Sequence, residues 1–190
     1  MLQNNELMKL TPVDRCQRVR EALRTALNKL LDRDLDLVAM GAHEQAICHR
    51  LATYLDAMTD LNVDCEYNRD MLQPKRLKDG TPFRPDIIIH RRLSNENNLL
   101  VVEAKAGVQD EKEDIKKLQE LIDEMGRYHY CVGAFIRFSN DPARIRHRRE
   151  IVIRLYWFGS VLGVPEQEIL TQPIGDELSK RLCALRGAGS

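Results

Sequence analysis

Asp86, Glu103 and Lys105 are the residues whose types and spacing could do chemistry together. They stand in the stretch 84–107, R-P-D-I-I-I-H-R-R-L-S-N-E-N-N-L-L-V-V-E-A-K-A-G, at the borders of two short apolar runs, 87–89 and 99–102. Runs of that length read as strands buried on both faces. Side chains alternate along a strand, so Glu103 and Lys105 share a face while Ala104 points away. Asp86 reaches the same face if the two strands are neighbours. Two carboxylates and an ammonium at the mouth of an apolar sheet are costly without compensation. A divalent cation shared by the carboxylates, with an anionic substrate opposite the lysine, would supply it. Asp86, Glu103 and the backbone carbonyl of Ala104 offer hard oxygen ligands suited to Mg²⁺ or Mn²⁺. The plainer alternative is a pair of structural strands closed by an ordinary ion-pair network.

Several elements must position these residues. A helix is predicted over 42–58, with Ile47, Leu51, Tyr54, Leu55 and Met58 as its apolar stripe. Three residues back from Ile47 lies Glu44, which puts a carboxylate on the buried stripe and marks it as a further site candidate. The alternative for Glu44 is a half-exposed first-turn acid favoured by the helix dipole. His43, adjacent, is read as incidental. The alternating segment 62–69 predicts a strand with Val63, Cys65 and Tyr67 on one face and, on the other, Asp64 and Glu66, either solvated or able to approach the metal. Residues 73–82 carry Pro and Asp-Gly signals and read as a turn-rich connection. After Gly107, a helix over 110–125 is expected from Ile115, Leu118, Leu121, Ile122 and Met125. Lys116, Lys117 and Gln119 lie in its first half, and the pattern selects none of them for the site. Residues 128–138 then supply a fourth strand.

This arrangement resembles the PD-(D/E)xK nuclease superfamily. Pro85-Asp86 matches the first half-motif, and Glu103-Ala104-Lys105 the second, after a sixteen-residue gap. The likeness covers about half the chain, residues 41–138. It implies an α/β fold of the restriction-endonuclease-like αβββαβ kind, with a mixed central sheet flanked by helices. It also implies a metal-dependent nuclease acting on nucleic acid, DNA in particular. In that family a glutamate on the helix before the first core strand often joins the site, and Glu44 fits that place. On this reading Asp86, Glu103 and Ala104 hold the metal, and Lys105 orients water or steadies the transition state. Glu44 holds a metal-bound water or a second ion. The rival within the same fold is a non-cleaving domain that binds nucleic acid or a protein partner. An unrelated α/β protein with an ion-pair network is the rival outside it.

Flanking segments add packing rather than chemistry. Thr11-Pro12 reads as an N-cap and first helical proline, with Asp14 in the first turn. Val13, Cys16, Val19, Leu23, Leu27, Leu30 and Leu31 make the helix amphipathic to about Asp32, for packing or a homodimer contact. Residues 141–149 suggest a short basic helix. Residues 151–158 suggest a strand with Ile151, Ile153, Leu155 and Trp157 inward, or a helix continuing through Leu162. Gly163 and Pro165 break it. Ile174, Leu178, Leu182 and Leu185 predict a last helix stopped by Gly187.

Bulk properties agree with a single domain of 190 residues: a 41–138 core with extensions at 1–40 and 139–190. No apolar run is long enough to span a membrane, and residues 1–10 lack an apolar signal core. Five scattered cysteines without a CxxC pair point to a reducing, cytoplasmic setting. Net charge is zero, against a protein that coats nucleic acid indiscriminately. Local basic clusters remain: Arg137, Arg144, Arg146, Arg148, Arg149 and Arg154, and also Lys75, Arg76, Lys78 and Arg84. Either cluster could hold phosphates or be a solvated face.

Overall fold

Three consecutive isoleucines with no exposed surface require cover on both sides, and the sheet provides it. They form β4 (Ile87–His90), which pairs antiparallel with β5 (Leu100–Ala106) in the register Ile87↔Val102, Ile88↔Val101, Ile89↔Leu100. The computed structural model describes residues 1–107, 111–139, 149–159 and 166–187, the side chains of 183 and 185–187 excepted. Its other strands are β1 (Asn62–Cys65), β2 (Arg69–Asp70), β3 (Gln73–Pro74), β6 (Val132–Ser139), β7 (Glu150–Phe158) and β8 (Glu166–Pro173). Six of them make one mixed sheet in the order β1-β4-β5-β6-β7-β8. Only the β5–β6 pairing is parallel. A parallel pair needs a crossover, here containing α5 (Lys112–Ile122).

The remaining helices are α1 (Asn4–Leu7), α2 (Pro12–Arg33), α3 (Leu35–Met40), α4 (Glu44–Asp56) and α6 (Asp176–Gly187). α2 begins as its sequence dictates: Thr11 Oγ1 accepts from the Asp14 N–H at 3.2 Å, with Pro12 at the first position. The larger core lies between α2, α4 and one sheet face, taking Ile87, Ile89, Leu100, Val102 and Ala104. A smaller core takes Ile88, Val101 and Phe135 from the opposite face and Leu118 and Leu121 from α5. The sheet is thus sandwiched between helices, and Ala104 and its neighbours Glu103 and Lys105 look to opposite sides.

Several expectations change in detail. Val13 and Met125, placed on apolar stripes, are 54% and 95% exposed, since each lies at the fringe of its helix pattern. β1 ends at Cys65, and Glu66 has φ 49°. That left-handed residue breaks the two-residue alternation, so Val63 packs in the larger core while Tyr67 turns to the α5 side. The turn-rich 73–82 contains β3 of a small hairpin, with Met71 at φ 52° between its strands. Residues 151–158 are strand rather than helix, with Ile151, Ile153, Leu155 and Trp157 inward. β8 carried no sequence pattern strong enough to announce it, because its residues are half-exposed or exposed throughout. The basic helix expected at 141–149 falls outside the described residues up to 148, as do Gly163 and Pro165. No described helix is long and apolar enough to cross a membrane.

Candidate functional site

β4 pairs with β5 only as far as Ile87↔Val102, so β5 runs on beyond its partner through Ala106. This overhang leaves backbone groups that side chains must satisfy. Asp86 Oδ2 accepts from the Ala104 N–H at 2.7 Å, and Glu44 Oε2 accepts from the Ala106 N–H at 3.3 Å. A strand residue's N–H and C=O leave on the same edge, so the Ala104 carbonyl opens toward Asp86. The sequence thus brings Asp86, Glu103, Ala104, Lys105 and Glu44 to one place, from the start of β4, the end of β5 and the first turn of α4.

Glu103 is 3% exposed, and its Oε1 has no hydrogen-bond partner. Burial pushes its pKa up to about 8, with the charge of Asp86 adding to the shift. Burial also raises Asp86 to about 6 against the Ala104 hydrogen bond, with Glu44 adding to the rise. Lys105 behaves oppositely. Burial works against its charge, but Asp114, Glu44 and Asp86 outweigh it and hold its pKa above the ordinary lysine value. Its Nζ lies 3.5 Å from Glu44 Oε1 and 3.6 Å from Asp114 Oδ2.

Asp114 and Lys117 complete the cluster from α5; the sequence reading passed over Asp114 and named Lys117 without selecting it. Asp114 is 6% exposed, and its Oδ1 accepts from Lys117 Nζ at 2.7 Å. For Lys117 too, burial is outweighed, by the Asp114 hydrogen bond and the nearby Glu103. A signal for Asp114 existed: four residues back from Leu118 lies the same inward stripe that exposed Glu44. Lys117 follows at the i+3 position from Asp114. The lysine contacts of the cluster are made by Lys105 and Lys117, and not by Lys116, among the described residues.

Four carboxylates therefore share the site with two ammonium groups. The two carboxylates with raised pKa values, Asp86 and Glu103, are those without a direct lysine contact. No three side chains of Asp, Glu, His or Cys cluster as a metal cage among the described residues. Glu44 faces Lys105 and the Ala106 N–H instead of Glu103. The donors available for a cation are thus two carboxylates and a carbonyl. The buried, partnerless Glu103 oxygen fits such an ion. A cleft of about 280 Å³, lined by Gln45, Cys48, Cys65, Glu66 and Asp86, gives access on the Asp86 side. Two larger clefts, one beside Cys16 and Cys131 and one beside Arg76 and Tyr128, involve none of these carboxylates.

Other candidates lie elsewhere. His43 caps α4, its Nδ1 accepting from the Gln45 N–H at 3.4 Å. Asp64 turns to His90 and Arg92, and Glu66 to Gln45 and Arg84. Lys75 is 1% exposed among the rings of Tyr67, Tyr128 and Tyr130, so it is not a phosphate contact. Lys78 pairs with Asp123 at 2.7 Å, while Arg84 remains largely exposed beside Glu66. In the arginine-rich segment, Arg137 bonds Glu111 at 2.6 Å and Arg149 pairs with Asp176. Arg144, Arg146 and Arg148 lie outside the described residues. Comparison of the chain with protein-family models, curated proteins and solved structures finds no match.

Proposed function

We propose that this chain is a metal-dependent phosphodiester hydrolase of the restriction-endonuclease-like kind, acting on nucleic acid, DNA in particular. The observation that carries the reading is the Glu103 carboxylate, buried with a partnerless oxygen next to Asp86 and short of positive charge. Retaining such a group is expensive unless a cation binds it. The order α4, β1, β4, β5, α5, β6, with antiparallel pairing up to β5 and a parallel step to β6, supports the αβββαβ assignment.

Asp86, Glu103 and the Ala104 carbonyl would hold Mg²⁺ or Mn²⁺. When bound there, the ion supplies a water of lowered pKa and neutralises phosphoryl charge. Lys105, ionised at neutral pH, offers a compact positive charge for the phosphoryl oxygens or the attacking water. Glu44 and Asp114 fix its ammonium from two sides. Exposed Arg84, two residues before Asp86, is placed to meet a phosphate.

The test is a panel of nucleic acids incubated with the protein and Mg²⁺ or Mn²⁺, with Asp86→Asn as control. Cleavage that requires the ion and disappears in the variant is the expected result. Thermal stabilisation by Mn²⁺ with no cleavage of any substrate would favour a non-cleaving binder. Absence of both would end the proposal.

A further inference from the structure

Away from the carboxylate site, two thiols meet at the junction of α2 and β6. Cys16 lies in the first turns of α2, and Cys131 immediately precedes β6. Their Sγ atoms are 2.7 Å apart, and Cys16 Sγ also lies 3.2 Å from the Cys131 carbonyl as a donor. A disulfide is about 2.0 Å long, so closing the remaining gap takes a small shift of either side chain. Both residues line a cleft of about 380 Å³ with Pro12, Arg15, Asn97 and His129; Cys16 is 1% exposed and Cys131 only partly buried. No third ligand of Asp, Glu, His or Cys type forms a metal group with them among the described residues. The other described thiols are not so paired: Cys48 is buried, and the Sγ of exposed Cys65 lies 4.0 Å from the Cys48 backbone carbonyl.

We propose that Cys16 and Cys131 are a redox modification site, oxidised by hydrogen peroxide to an intramolecular disulfide. The Cys16 thiolate attacks the peroxide: its S–O bond forms, the O–O bond breaks, and the leaving hydroxide takes up a proton as water. Cys131 then attacks the sulfenic sulfur. The S–S bond forms, the S–O bond breaks, and hydroxide departs as water with the Cys131 proton. Two thiols lose two electrons and the peroxide gains them. Cys16 is suited to the first step. The contact between the two thiols, in which either can donate, holds the Cys16 pKa below the ordinary thiol value against burial, with Arg15 nearby. The bond staples α2 to the strand beside β5, across 115 residues of sequence.

The experiment treats the whole reduced protein with hydrogen peroxide, blocks free thiols by alkylation, and maps peptides by mass spectrometry. The expected product is one linked pair, Cys16 with Cys131, in monomeric protein, reversed by dithiothreitol. Its Tm rises by roughly 5–15 °C, because closing so long a loop constrains the unfolded chain. Cys65→Ser retains the linkage and Cys16→Ser loses it. The proposal is overturned if both thiols are still alkylated after oxidation, or if Cys65 is the residue that becomes linked. Wild-type mapping alone decides this, whether or not either variant folds, and it is independent of any result on hydrolysis.

Discussion

The two ends of β4 handle a carboxylate drawn away from solvent in opposite ways. Near His90, Asp64 is satisfied by His90 Nε2 at 2.9 Å and by both arms of Arg92. Burial would raise its pKa, but the Arg92 and His90 hydrogen bonds win and hold it below the ordinary carboxylate value. Burial dominates for His90 itself, whose pKa is lowered, so the neutral ring donates to Asp64. At the other end, Asp86 and Glu103 have only an amide N–H and no contacting base between them, and both pKa values rise. This fold is able to pair a half-buried acid fully. Asp86 and Glu103, left undercompensated at the β5 overhang, are the contrast on which the proposed site rests.

Breaking the site end should have the largest effect on cleavage and little on folding. Lys105→Ala should reduce hydrolysis by about 10²–10³-fold, and Asp86→Asn or Glu103→Gln by at least as much. Glu103→Gln should leave the apo Tm unchanged or higher at pH 8, because the amide need not ionise in a buried position. Asp64→Asn should do the reverse, costing about 1–3 kcal/mol by unsettling His90 and Arg92 while leaving cleavage intact. Substrate cleavage and thermal melts on the same four variants read both sides. Full activity in a site variant, or loss of activity in Asp64→Asn, would collapse the distinction. Asp114→Asn should fall between them, about 10–100-fold down, since Lys105 retains Glu44 when Asp114 loses its charge.

Much of the site was legible because strands and helices repeat with fixed periods. A two-residue alternation placed Glu103 and Lys105 together, and a helical offset from Ile47 turned Glu44 inward. Asp114 was legible by the same rule applied to Leu118, yet the acidic and basic run around it reads as solvation. Only the crossover that brings α5 over the end of β5 distinguishes one inward acid from its neighbours. The small hairpin and the fate of Tyr67 were not legible. They depend on left-handed residues Glu66 and Met71, neither of which is a glycine or asparagine that would announce the conformation. Lys75 misled for a related reason: a lysine in a basic stretch looks solvated until Tyr128 and Tyr130, far away in sequence, close over it. β8 has no fully buried residue, and its half-buried positions are mostly polar, so it lacks the apolar alternation that revealed the other strands.

The two ends should also titrate in opposite directions. Glu103 and Asp86 have folded pKa values near 8 and 6, above the ordinary 4.5 and 3.8, so the folded protein binds more protons than the unfolded chain between them. Their contribution to stability is therefore fully present below about pH 4 and is lost as pH rises through 6 and 8. A loss on the order of a few kcal/mol for the metal-free protein follows, and Glu103→Gln should remove most of it. Saturating Mn²⁺ should flatten the slope as well, since binding requires the ionised carboxylates, and its affinity should rise steeply over the same interval. Asp64 has a lowered pKa, so its contribution is present above pH 4 and disappears as pH falls below that. Denaturant melts of wild type and Glu103→Gln from pH 4 to 9, with and without Mn²⁺, measure these slopes. A wild-type curve parallel to that of the variant would mean that Glu103 ionises freely and that no cation is needed to compensate it.

The smallest effect should come from Arg92, and its smallness sharpens the contrast. Arg92 makes two hydrogen bonds to Asp64, but its side chain is 54% exposed. A pair reaching into water gains little, because solvent screens the attraction and the side chain gives up rotamer freedom. Arg92→Ala should thus cost no more than about 1 kcal/mol, with Asp64 still held by the buried His90. Replacing both residues should reveal the coupling: Asp64→Asn in the Arg92→Ala background should cost nearly what it costs alone. If Arg92→Ala instead costs several kcal/mol, Asp64 depends on a single exposed base. The His90 end would then be as poorly compensated as the Glu103 end, and incomplete pairing would no longer mark where the chemistry is.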